Sequence, residues 1–167
     1  MTLRAATDKI ICRDELIRRL GHPRSEAVVF TNGVFDLMHR GHASYLAAAR
    51  ALGDVLVVGL NTDASTRSLG KGDDRPLVGE SDRAFMLGSL ECVDYVCLFD
   101  EVTPAAVIDV LIPDVLVKGG DYDLDRVVGR ETVESHGGRV ELIPFVEGYS
   151  TTDLVHRIRK TADEPST

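Results

Sequence analysis

No stretch of the 167 residues approaches the about 20 consecutive apolar positions that a membrane-spanning helix requires. The N-terminal MTLRAATDKIICRDEL is broken by charges every few residues and lacks the apolar core of a signal peptide, so a cytoplasmic location is expected. Basic residues are in deficit: 19 Lys and Arg stand against 27 Asp and Glu, a net charge of −8. That balance argues against nonspecific binding to nucleic acid, whose phosphates favour a basic surface. An acidic chain still binds a nucleotide where it concentrates donors locally. Cysteine is scarce as well. Cys12, Cys92 and Cys97 make an odd count with no CxxC pair, which predicts reduced, mostly packed thiols and no metal centre. No GxGxxG follows the first apolar run, and this sets aside a dinucleotide-dependent dehydrogenase.

What remains is a composition 44% hydrophobic and 28% charged, that of a soluble globular chain the size of one domain. Short apolar blocks rich in Val, Leu, Ile or aromatics recur at residues 27–31 (AVVFT), 54–60 (DVLVVGL), 94–99 (DYVCLF), 114–118 (DVLVK) and 139–143 (RVELI), and each reads as a strand. Near-continuous apolar runs of this length suit strands covered on both faces, as in a parallel sheet. Between them lie stretches with helical spacing. These are 41–52; 80–90, with Ser81 as N-cap; 103–111, with Thr103 as N-cap before Pro104; 125–135, closed by Gly137-Gly138; and 151–160. Asn61-Thr62-Asp63 closes the second strand and is expected to cap the next helix. Alternating strands and helices imply an α/β fold, a doubly wound parallel sheet in one domain spanning 27–160. An N-terminal segment with a short helix (1–26) precedes it, and a disordered tail (161–167) follows. Residues 69–79 (LGKGDDRPLVG) form the one glycine- and charge-rich interior loop.

The most informative stretch is FTNGVFDLMHRGHASYL, residues 30–46. A strand ends at Thr31, turns through Asn32-Gly33, passes Phe35-Asp36 and enters a helix near Gly41. This is the first βα crossing, at the strand's carboxyl end, where open α/β sheets bind ligands. Three-residue spacing lets His39 and His42 point into one pocket from the helix's first turn. That turn also carries unpaired N–H groups and the positive end of the helix dipole. Gly41 removes a Cβ where a phosphate must come close to the backbone. The arrangement suits a polyphosphate.

GVFDLMHRGH resembles the GxFDxxHxGH signature of the cytidylyltransferase-like nucleotidyltransferases, which have a Rossmann-like fold. Within that superfamily TNGVFDLMHRGHASYL, NTDAS, KGDDRP, LVKGGDY and the late STT are similar, in order, to the bacterial heptose 1-phosphate adenylyltransferases. In some members this domain is fused to a sugar kinase; here the stand-alone form is expected. The resemblance implies transfer of AMP from ATP to D-glycero-D-manno-heptose 1-phosphate. The products would be pyrophosphate and ADP-heptose, a lipopolysaccharide core precursor. It also implies Mg²⁺ carried on the triphosphate, with no protein ligand assigned, and a homodimer.

By the same resemblance, His39 and His42 contact the triphosphate, with Lys71 and Lys118 as further catalytic cations. Thr31, Asn32, Gly33, Phe35 and Gly41 build the nucleotide pocket with Gly119, Gly120, Asp121, Ser150, Thr151 and Thr152. Asp36 is expected to hold its loop through backbone N–H groups, since carboxylate and phosphate repel. Arg75 is a weaker candidate for the phosphates. Arg83, inside the next helix, is as suited to an ion pair or a subunit contact as to ligand binding. Glycerol-phosphate cytidylyltransferases carry an arginine shortly before STT, where this chain has Phe145-Val146-Glu147-Gly148-Tyr149, and that departure favours the heptose branch. The alternatives are a cytidylyltransferase for a polyol or amino-alcohol phosphate, and a noncatalytic nucleotide-binding domain.

Overall fold

The computed structural model describes residues 4–70, 75–120 and 123–163. In chain order the elements are α1 (Ala6–Lys9), α2 (Arg13–Leu20), β1 (Val28–Gly33), α3 (Arg40–Arg50), β2 (Val55–Asn61), α4 (Asp63–Ser68) and α5 (Glu80–Gly88). There follow β3 (Tyr95–Phe99), α6 (Ala105–Leu111), β4 (Val115–Gly119), a 3₁₀ turn (Leu124–Arg126), α7 (Arg130–Ser135), β5 (Arg139–Ile143) and α8 (Thr151–Asp163). The five strands form one parallel sheet in the order β3-β2-β1-β4-β5. All five strand expectations hold to within a residue or two at each end.

The near-continuous apolar runs are accounted for by burial on both faces. Alternation along β1 sends Val28 and Phe30 to one side, where Leu16 and Leu20 of α2, Ile108 and Leu111 of α6 and Val133 of α7 cover them. Val29 faces the other side with Leu46 and Ala49 of α3 and Ala84 and Leu87 of α5. The helices that cross from β1 to β2 and from β2 to β3 thus cover one face. Those that cross from β3 to β4 and from β4 to β5 cover the other, so the winding reverses between β1 and β4. The N-terminal segment holds two helices; α1 packs against α5, and Ile10-Ile11 just after it meets the free edge of β3. There Ile11 N–H donates to Val96 O at 3.0 Å and Lys9 Nζ to Leu90 O at 2.9 Å.

The winding reversal opens the molecule in a specific place. β1 pairs with β2 along its whole length, to Gly33↔Leu60, but with β4 only at Val29↔Val115 and Phe30↔Leu116. Beyond residue 30 the two central strands part, each bound for a loop on opposite faces, and this parting makes the ligand crevice of doubly wound sheets.

Helix starts depart from expectation. Thr62 is the N-cap of α4, accepting from Ser65 N–H at 3.2 Å, as the sequence suggested. Ser81 is not a cap: α5 begins at Glu80 after Gly79, and the Glu80 carboxylate reaches the Asp63 N–H at 2.6 Å. Pro104, not Thr103, is the N-cap of α6, its carbonyl accepting from Val107 and Ile108 at 3.0 Å. The single helix expected over 125–135 is broken. Val127 turns into the core, and Gly129 adopts φ +88°, a left-handed conformation that ends one turn and starts α7. The stop at Gly137-Gly138 is present: Gly138 N–H donates to Val133 O and Gly137 N–H to Glu134 O, the paired bonds of a Schellman motif. Helix α8 continues to Asp163, into the segment expected to be a disordered tail. No helix among the described residues is long and apolar enough to cross a membrane.

Candidate active site

A cleft of about 710 Å³ lies over the parted ends of β1 and β4. Of the residues expected at the site it brings together Asn32, Gly33, Phe35, His39, Gly41, His42, Lys118, Gly119, Ser150, Thr151 and Thr152. Thr31 is placed beneath the floor instead, fully buried, its hydroxyl 2.6 Å from Tyr45 OH. Gly120 sits behind Phe145 and does not line the cleft. Lys71 and Asp121 lie outside the described residues.

The β1–α3 loop sets the histidines. His39 is the N-cap of α3 and His42 is its third residue, so the two rings stack with centroids 3.9 Å apart and planes 20° apart. His39 N–H donates to His42 Nδ1 at 3.4 Å, which leaves the neutral His42 ring with its proton on Nε2. The Nδ1 edge of His39 is turned against Gly41: a Cβ there would stand 3.0 Å from both Nδ1 and Cε1 and would crowd the ring. That Nδ1 is buried without a hydrogen-bond partner, leaving Nε2 as the nitrogen available to a ligand. Burial, and then the charge of His39, press the His42 pKa down to about 4, and burial alone lowers that of His39. Both rings are therefore neutral donors at pH 7. A folded-state pKa below the ordinary value of 6.5 disfavours the charged ring, so stability is lost as pH falls from about 6.5 toward 4. Histidine NMR titration of the ligand-free protein is expected to place the His42 midpoint near 4, whereas a midpoint above 6 would show the ring to be solvated.

Lys118, the last residue but one of β4, lies across the parting from Asn32, and its ammonium donates to the Asn32 Oδ1. Among the described residues no carboxylate neutralises it, and burial lowers its pKa to about 8. An ammonium held dry beside a lone amide oxygen, facing two imidazole donors, is the electrostatic complement of a phosphate. The first turn of α3 contains no acidic side chain that would compete. On the far side, Ser150 Oγ caps α8 by accepting from Asp153 N–H at 3.0 Å, and Thr151 Oγ1 donates to the Asp36 carbonyl at 2.8 Å.

Asp36 does hold a loop, though a different one from its own. Its carboxylate, 5% exposed, accepts from Leu77 N–H at 2.9 Å, Val78 N–H at 3.0 Å and Arg75 NH1 at 3.0 Å. Burial opposes the charge, but those three donors together hold its pKa below the ordinary carboxylate value. They also steady a costly backbone, since Phe35 and Leu37 on either side adopt φ +50° and +49°. Arg75 is thereby fixed at the cleft wall. Arg83 has no ligand role: fully buried, it pairs with Asp63 and spans three backbone carbonyls.

Sequence reasoning missed Tyr45, Phe145 and Tyr149 as lining residues. Tyr45 was within reach, being one helical turn after His42 on α3; the other two depend on where the chain returns after β5. The other histidines are peripheral, with His22 on the Ile112 carbonyl and His136 at the end of α7. Cys97 is buried, its thiol pushed up to about 11, while Cys12 is exposed.

Comparison with known proteins agrees with this geometry. Residues 30–157 match the family described as cytidylyltransferase-like. The chain is 62% identical over 137 residues to the bifunctional protein HldE of Citrifermentans bemidjiense, covering 82% of this chain and 28% of that protein. It is 50% identical over 156 residues to the Helicobacter pylori protein of the same name, covering 93% of this chain and 32% of that one. The chain thus spans about a third or less of the length of these relatives. Among solved structures, a lipopolysaccharide core biosynthesis protein from Thermoplasma volcanium aligns with a TM-score of 0.61 at 28% identity, over 75% of this chain and all of that one. A pantoate-beta-alanine ligase from Francisella tularensis shares the fold at 14% identity, with a TM-score of 0.60 over 93% of this chain and 79% of that one. With the stacked histidines of HRGH at the parting of the central strands, and with the family match running across all five strands, the chain belongs to the cytidylyltransferase-like family.

Proposed function

We propose that this chain is a nucleotidyltransferase that moves AMP from ATP to D-glycero-D-manno-heptose 1-phosphate, releasing pyrophosphate and forming ADP-heptose for the lipopolysaccharide core. The observation that carries the reading is the donor set at the crevice. Two neutral imidazoles and a desolvated ammonium line it, and the one carboxylate among the described lining residues, Asp36, is engaged by its own donors. A sugar phosphate is already an anionic nucleophile, so such a site needs positioning and charge stabilisation rather than a base. A phosphate oxygen of the acceptor bonds to the α-phosphorus as the bond to the β-phosphate's bridging oxygen breaks. The negative charge passes to pyrophosphate, where the His39, His42 and Lys118 donors receive it. The T. volcanium neighbour's part in lipopolysaccharide core synthesis supports the sugar assignment.

The cleft divides naturally around β1. The half over β4 and β5 is lined by Gly119, Phe145 and Tyr149, and the half over β2 and β3 by Asn61, Thr66, Leu69 and Thr103, with Arg75 at its wall. We assign the first to the nucleotide and the second to the acceptor, whose phosphate Arg75 meets. Mg²⁺ fits this donor set only as an ion brought by the triphosphate, which supplies its oxygen ligands and neutralises phosphate charge. A cytoplasmic homodimer completes the reading, and light scattering reads the subunit count.

The experiment is pyrophosphate release with Mg²⁺, each anomer of heptose 1-phosphate, and ATP, CTP or GTP in turn. Release with ATP and one anomer is expected. Turnover with CTP alone would overturn the heptose assignment, and silence with every pair despite nucleotide binding would point to a noncatalytic domain.

A further inference from the structure

Phe145 is 71% exposed, although Phe30, Phe35 and Phe99 are all buried. It follows the C-terminal end of β5 and borders the cleft. Its ring lies beside the bare backbone of Gly119 and Gly120. A Cβ at Gly119 would stand 2.8 Å from Phe145 Cε1, and one at Gly120 would stand 2.3 Å from Cε2 and 2.9 Å from both Cδ2 and Cζ. The far end of the ring thus occupies the space that a side chain on either glycine would need. Gly120 has φ +96° and donates its N–H to Ile143 O at 2.9 Å, which locks the β4 turn to the strand that delivers the ring. The ring is therefore held beside the two glycines while most of it remains uncovered.

We propose that Phe145 is the platform on which the nucleobase stacks. The inference rests on the reading of the cleft as a nucleoside triphosphate site. Lys118, the phosphate-facing cation, immediately precedes the glycines that the ring abuts, so a nucleotide with its phosphates on Lys118 and the histidines has the ring beside it on the β5 side. Tyr149 is the other exposed ring there, and it is engaged: Arg40 lies 5.7 Å over its face and His39 is 6.3 Å away. Phe145 thus offers the free aromatic surface of that half of the cleft among the described residues. Stacking on an aromatic face is open to every base, and its strength grows with overlap, so a purine gains more than a pyrimidine. The platform gives the adenine preference a physical cause independent of any hydrogen bond to the base.

The chain has no tryptophan, so Phe145→Trp introduces a single fluorescent reporter at the proposed platform. Its emission is expected to be quenched by ATP and unchanged by inorganic triphosphate. Phe145→Leu, which keeps apolar bulk but loses the π face, is expected to weaken ATP binding about 10- to 100-fold by calorimetry. CTP should suffer less, and inorganic triphosphate should bind as it does to the parent. A tryptophan unquenched at saturating ATP, or a leucine variant that binds ATP as tightly as the parent, overturns the platform. Quenching without pyrophosphate release supports the platform and removes the transferase reading. Turnover with an unquenched tryptophan does the reverse.

Discussion

Lys118→Met is expected to lower turnover by about 10²–10³-fold while leaving the melting temperature unchanged or raised. The two effects have one origin. The ammonium is desolvated at the end of β4, shares only the Asn32 amide oxygen among the described residues, and has its pKa depressed to about 8 from an ordinary 10.5. A cation whose folded pKa is lowered opposes folding; that penalty is full below about 8 and fades as pH rises toward 10.5. Methionine fills similar space and removes the penalty, but it offers no donor to the charge that develops on pyrophosphate. Steady-state kinetics alongside calorimetric melting checks both halves. The parent's kcat/KM should fall above about pH 8, as free enzyme loses the Lys118 proton, and in Lys118→Arg that decline should move to higher pH. A methionine variant with parental turnover would remove Lys118 from the mechanism.

The largest loss of stability is expected at a residue that touches no substrate. The Arg83 guanidinium, 1% exposed, donates to Val78 O at 2.8 Å, Val34 O at 2.6 Å and Asn61 O at 2.9 Å, and pairs with Asp63 at 2.7 Å. It thereby ties α5 to the 75–79 segment, the β1–α3 loop, the end of β2 and the start of α4. Arg83→Met leaves three carbonyls and a carboxylate without their donor, at a cost of about 3–5 kcal/mol, or about 10 °C in Tm. Arg83→Lys should recover little, because one ammonium cannot span four acceptors set for a planar fork. Urea unfolding of both variants with Arg83→Met/Asp63→Asn separates the ion pair from the carbonyl bonds. A double variant no more stable than Arg83→Met would assign the loss to the carbonyls.

Strand positions were legible because double-sided burial writes itself as unbroken apolar runs, and the HRGH segment was legible because its neighbours in space are its neighbours in sequence. Thr62 and Gly137-Gly138 were readable for the same reason, their hydrogen bonds being local. The failures share a different cause. The helix expected over 125–135 has the weaker helical pattern, and core packing of Val127 outweighs it. Glu80 preempts Ser81 by bonding to Asp63, which is 17 residues away. Arg83 was read as open between an ion pair and a ligand because its three carbonyl partners come from three separate segments. Phe145 was noted only as the lack of an arginine; the bare glycine peptide beside it, about 25 residues earlier, is invisible until β4 and β5 pair.

The bonds of Asp36 carry a consequence for how such a cleft diversifies. Its carboxylate secures residues 75–78 on one bank, and its carbonyl receives Thr151 at the head of α8 on the other. The two banks therefore share one mooring. Drift at this position would disturb the grip on both substrates together, so it offers no route to a new partner for either. On the proposed division of the cleft, a new specificity would come from side chains farther out on one bank, leaving the mooring and the other half-site in place.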